Sequence, residues 1–112
     1  MVNLEELYLS HNGIQRLEGL DTCAKLRLLD LSSNRIEHLE NLEPMQALEE
    51  LWFNDNLFAD WKEVELLGKL PLLSCVYFER NPLAKETAYR RKLMLTLPNL
   101  EQIDATSTKA AA

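Results

Sequence analysis

Four nine-residue stretches share one pattern: LEELYLSHN from Leu4, LRLLDLSSN from Leu26, LEELWFNDN from Leu48 and LSCVYFERN from Leu73. Each has apolar side chains at its first, fourth and sixth places and Asn at its ninth. The first three starts lie 22 residues apart and the fourth follows after 25. A period this short holds one strand and one return, and a single copy cannot bury its own leucines. Neighbouring copies must therefore stack and share a core, so the chain is expected to fold as a solenoid with contacts between adjacent turns.

Alternation along a strand sorts the side chains into faces. Leu7, Leu29, Leu51 and Val76 make one inward row, and Leu9, Leu31, Phe53 and Phe78 a second. The Asn column is Asn12, Asn34, Asn56 and Asn81. An amide has two donors and an acceptor oxygen, so these four are expected to satisfy backbone groups left unpaired where each strand turns away. Facing outward are Glu6, Leu28, Glu50 and Cys75 in one column and Tyr8, Asp30, Trp52 and Tyr77 in the next. That acidic and aromatic strip suits a partner surface carrying Lys or Arg over apolar patches. The pattern LxxLxLxxN is the leucine-rich-repeat signature. The expected fold class is an α/β solenoid with a parallel concave sheet and a C-terminal helical cap.

Between the strands, Ile14, Leu17 and Leu20, then Ile36, Leu39 and Leu42, recur at spacing three, which predicts short 3-10 turns or irregular backbone. The longer third repeat predicts a helix from about Trp61 to Leu67, with Asp60 as N-cap, Glu63 as its capping-box partner and Gly68 at its end. Trp61 stands where the other repeats have leucine and is read as core. After Asn81, Tyr89, Leu93 and Leu97 fall on one helical face with Ala88 and Leu95 beside it, and Arg90, Arg91 and Lys92 opposite. Pro98 ends that helix, and Leu100 with Ile103 begins one more half-strand. The organisation expected is four repeats over 1–83, a cap over 84–106 and a disordered tail over 107–112. The strand at Leu4 has no cap before it. The chain is therefore expected to be a piece of a longer solenoid and to self-associate through that edge.

Composition narrows the function. A net charge of −6 over 112 residues argues against nucleic acid as a partner, because phosphates call for Lys and Arg. The longest uncharged run, Leu70 to Phe78, is too short for a membrane span, and Glu5 and Glu6 sit where a secretion signal would carry positive charge. Cys23 and Cys75 form no metal-binding spacing, so neither metal nor cofactor is expected. His11 and His38 lie at repeat turns away from any nucleophile, and the three glycines form no phosphate loop. No catalytic constellation is expected.

The stretches LEELYLSHNGI, LDLSSNRIEHLENL, WFNDNLFADW and VYFERNPLAKETAYRRKLMLTLPNLEQIDAT resemble consecutive pieces of the leucine-rich-repeat regulatory subunit 7 family of protein phosphatase 1, towards its C-terminal part. The likeness runs from about Val2 to Thr106. It implies a non-catalytic regulator that binds the phosphatase catalytic subunit through the concave sheet and holds it inactive or targets it, in nucleus and cytoplasm. The family's contact positions fall on Asp30, Glu50, Trp52 and Tyr77, and Tyr8 and Glu6 extend the same columns. The cap also resembles those of the spliceosomal A-prime subunit and an axonemal dynein light chain. The alternative is thus a structural adaptor of a ribonucleoprotein or dynein-type assembly.

Overall fold

The computed structural model describes residues 3–108. Six short strands form one sheet in chain order: β1 (Glu6–Tyr8), β2 (Leu28–Asp30), β3 (Glu50–Trp52), β4 (Cys75–Tyr77), β5 (Gln102–Ile103) and β6 (Thr106–Ser107). β1 to β5 run parallel, and β6 turns back antiparallel to β5. The register follows the repeat residue for residue, so Leu7, Leu29, Leu51, Val76 and Ile103 are successive partners. Leu29, Leu51 and Val76 are fully buried, with Leu31, Phe53 and Phe78 as the second buried row. Leu7 and Leu9, on the outermost described strand, are only half-buried.

Each of the first four strands ends in the same local device. The residue before the Asn takes a left-handed conformation: His11 at φ 60°, Ser33 at 58°, Asp55 at 59° and Arg80 at 61°. A non-glycine residue there is strained. After Ser33, Asp55 and Arg80 the following Asn offsets the strain by bonding to the backbone of two turns. Asn56 accepts from Ile36 N at 3.0 Å and donates to Leu31 O at 2.9 Å and Phe53 O at 3.2 Å. Asn34 and Asn81 repeat the arrangement, and all three are buried. The Asn12 side chain also bonds backbone, donating to Ser10 O at 3.1 Å, but it is exposed, and among the described residues its amide reaches no second turn.

The returns of the first two repeats are irregular, as spacing three predicts. In the third, α1 (Trp61–Val64) gives way to a 3-10 turn over Glu65–Lys69, so Gly68 lies inside the turn instead of ending a helix. Asp60 is the N-cap and accepts from Lys62 N at 2.9 Å. Glu63 does not close a capping box. Its carboxylate reaches the preceding turn, taking Leu39 N at 2.7 Å and the His38 ring at 2.8 Å. The Glu63 hydrogen bond, followed by its charge, raises the His38 pKa, against weak desolvation and with help from Glu37 and Glu40. A raised imidazole pKa contributes stability that is present below the ordinary value near 6.5 and lost as pH climbs through the folded value. The melting difference between wild type and His38→Gln should therefore shrink from pH 6 to pH 8.5. A difference independent of pH would remove the ion pair as a source of this turn's stability.

The cap helix α2 (Tyr89–Thr96) buries Leu93 and seats Tyr89 and the following Leu97 against the core. Leu95, expected beside that face, is 76% exposed, because an eight-residue helix lying on the end of a core has one narrow contact stripe. The basic triplet is not a single solvated face. Arg90 is half-buried and donates to Ile103 O, and Lys92 pairs with Glu86 and lies 4.6 Å over the Trp61 ring. Trp61, half-buried between that ammonium and Tyr89, joins the core from its edge. Of the tail expected from 107, Ser107 belongs to β6 and Thr108 bonds back to Leu100 O and Glu101 O, while 109–112 lie outside the described residues.

Candidate functional site

The parallel register aligns Glu6, Leu28, Glu50, Cys75 and Gln102 in one outward column and Tyr8, Asp30, Trp52 and Tyr77 in the other. These are the columns that alternation predicts, and the structure extends the first by Gln102. The Trp52 ring sits 6.0 Å from Tyr8 at 71° and 5.9 Å from Tyr77 at 63°, both edge-on. Edge-to-face contacts of this kind add about 0.5–1.5 kcal/mol beyond burial, so three aromatics from β1, β3 and β4 form one ordered surface.

Tyr8 and Trp52 make contact although Asp30 stands between them in the register. Asp30 is consequently 7% exposed, and its Oδ1 accepts from Ser32 N at 3.0 Å and from the Ser32 hydroxyl at 2.6 Å. Of the predicted contact residues it is the one set back from the surface. Tyr8 is the most open of the aromatics, at 54% exposure. Each glutamate fixes the aromatic two places on: Tyr8 O–H donates to Glu6 at 2.9 Å and Trp52 N–H to Glu50 at 3.1 Å. The Glu6 hydrogen bond is also the main reason the Tyr8 hydroxyl holds its proton above the usual range.

Beside the aromatic row opens a shallow cleft of about 330 Å³, lined by Asp30, Ser32, Trp52, Asn54, Tyr77 and Glu79. Ser32, Asn54 and Glu79 continue the outward alternation one step past the strand ends, two residues after Asp30, Trp52 and Tyr77. Gln102 is the site residue that the repeat hides, since β5 carries only a half-pattern. It joins the cap to the strip by bonding Tyr77.

The site's chemistry is that of a contact surface. Cys75 is buried among these residues, and desolvation, helped by Glu50 and Asp104, pushes its thiol up to about 11, which leaves little thiolate at neutral pH. Among the described residues no three His, Cys, Asp or Glu side chains cluster to hold a metal ion, and no helix is long and apolar enough to cross a membrane. What the strip offers is carboxylate acceptors over aromatic area, the combination that receives cationic side chains.

The leucine-rich-repeat family model matches residues 3–111. Over 92 residues the chain is 40% identical to leucine-rich repeat-containing protein 23 of Xenopus tropicalis, covering 81% of this chain and 26% of that protein. It is 56% identical over 50 residues to protein phosphatase 1 regulatory subunit 7 of the same organism, covering 45% of this chain and 14% of that one. Protein phosphatase 1 regulatory subunit pprA of Dictyostelium discoideum is 45% identical over 75 residues, covering 67% and 22%. The chain thus spans about a quarter or less of the length of these relatives.

Proposed function

The chain belongs to the leucine-rich-repeat family, and from that premise we propose that it is a non-catalytic protein-binding module that regulates the catalytic subunit of protein phosphatase 1. The concave strip of Glu6, Tyr8, Asp30, Glu50, Trp52 and Tyr77 makes the contact and holds the catalytic subunit inactive or directs it to its target. The observation that carries this reading is the continuous Tyr8–Trp52–Tyr77 row flanked by Glu6 and Glu50. Exposed aromatics that are already ordered lose little entropy on binding, and carboxylates beside them favour a basic partner. Two relatives named as protein phosphatase 1 regulatory subunits support the choice of partner.

Titration calorimetry of the chain against the purified catalytic subunit tests it. A saturable one-to-one interaction that weakens as salt rises is the expected result, since the charges lie at the rim of an exposed surface. Absence of saturable binding across micromolar concentrations at low salt would overturn the reading.

A further inference from the structure

The strip's three aromatic hydrogen-bond donors are not equivalent. Tyr8 O–H and Trp52 N–H both point into glutamates of the same face. Tyr77 is held the other way round. The Gln102 amide nitrogen lies 2.8 Å from Asp104 O and 2.9 Å from the Tyr77 hydroxyl oxygen. A backbone carbonyl can only accept, so the group facing Asp104 O must be the NH₂, and its second hydrogen is the one directed at Tyr77. The Tyr77 oxygen therefore accepts. Its own O–H hydrogen has no acceptor among the described residues, and the ring is half-exposed on the concave face.

Building on the reading that this strip binds the phosphatase, we propose that Tyr77 is its outward aromatic donor, that Gln102 is the positioning residue that keeps it so, and that the partner places a neutral acceptor opposite, a backbone carbonyl or a side-chain amide oxygen. The acceptor is neutral because the surroundings are already negative. Glu50 and Asp104 both act electrostatically on the Tyr77 hydroxyl, and Asp30 and Glu79 line the adjoining cleft. An incoming carboxylate would meet four others. The partner's basic side chains then belong over β1 to β3, where Glu6 and Glu50 lie, and its uncharged acceptor over β4. This polarity fixes the direction in which the partner lies along the sheet.

The test is a binding cycle with the phosphatase catalytic subunit, using wild type, Tyr77→Phe, Gln102→Glu and the double variant, with Trp52→Ala as reference and circular dichroism melts to verify folding. Tyr77→Phe keeps the ring and its contact with Trp52 and removes only the donor. Affinity should fall about 3- to 10-fold, the usual effect of one neutral hydrogen bond. Gln102→Glu supplies an acceptor that captures the Tyr77 O–H, as Glu6 captures that of Tyr8. It should cost at least about threefold more in wild type than in the Tyr77→Phe background. If Tyr77→Phe binds within twofold of wild type while Trp52→Ala fails to bind, the strip stands and the donor assignment falls. Equal costs of Gln102→Glu in both backgrounds remove Gln102 from the proposal. Unchanged binding by Trp52→Ala overturns the strip itself, and this proposal with it.

Discussion

Phe53→Ala should lower the unfolding free energy by about 3–5 kcal/mol, the usual range for emptying a buried phenylalanine site. Phe53 is fully buried and meets Phe58 at 5.9 Å and 87° and Phe78 at 6.0 Å and 78°, while Phe58 and Phe78 approach to 5.6 Å. These three rings join the third and fourth repeats, whereas Leu9 and Leu31 hold the same row in the first two. In a solenoid, stability is a sum of repeat and neighbour terms, so a cavity here uncouples the cap end from the N-terminal turns. Such a loss is a large part of the roughly 5–15 kcal/mol available to a domain of this size. Urea unfolding followed by circular dichroism should show a lower midpoint, or two transitions in place of one. Phe53→Leu, which restores the residue of the first two repeats, should recover more than half of the loss. A loss below about 1 kcal/mol for the alanine variant, far under the range for such a cavity, would mean that the aromatic cluster is not what couples the turns.

Trp52→Ala, one residue away and on the opposite face, is expected to do the reverse. It removes the middle of the aromatic row and the cover over Asp30, yet it opens no cavity in the core, because the ring is only half-buried. Central tryptophans of contact surfaces typically carry about 2 kcal/mol or more, so binding to the phosphatase catalytic subunit should weaken by about 30-fold or more. Its melting temperature should stay much closer to wild type than that of Phe53→Ala. Undiminished affinity in a folded Trp52→Ala chain would place the contact elsewhere. The pair tests the alternation of the strand directly, since neighbouring side chains are assigned opposite roles.

The strand register is legible in the sequence, because one pattern repeated four times specifies both the inward rows and the outward columns. The strand-ending asparagines are legible too, except that the side chain of Asn12, in the outermost described turn, reaches no second turn among the described residues. What the pattern does not contain is anything decided between turns. Glu63 has the spacing of a capping box, but Leu39 N and His38 in the previous turn offer it better partners. Helical periodicity assigns Leu95 to an apolar flank and Arg90 to solvent. The end of the core is narrow enough that the first is exposed and the second is drawn to Ile103 O. At the site, the columns name Tyr8, Trp52 and Tyr77, but not that Trp52 leans across Asp30 and buries it. Nor do they show that Gln102, from the cap, bonds the hydroxyl of Tyr77. Those contacts depend on side-chain reach across strands, for which sequence spacing carries no signal.

Hydroxyl-radical footprinting of the chain with and without the phosphatase catalytic subunit tests the concave-face proposal most directly, because oxidation reads side chains one by one. Tyr8, Trp52 and Tyr77 are reactive rings on the concave face, and exposed Leu66, Leu72, Met94 and Leu95 serve as internal references away from the strip. Loss of oxidation at the three aromatics, with the reference residues unchanged, is the predicted result. Protection of the reference residues with Tyr8, Trp52 and Tyr77 left as reactive as in the free chain would contradict it.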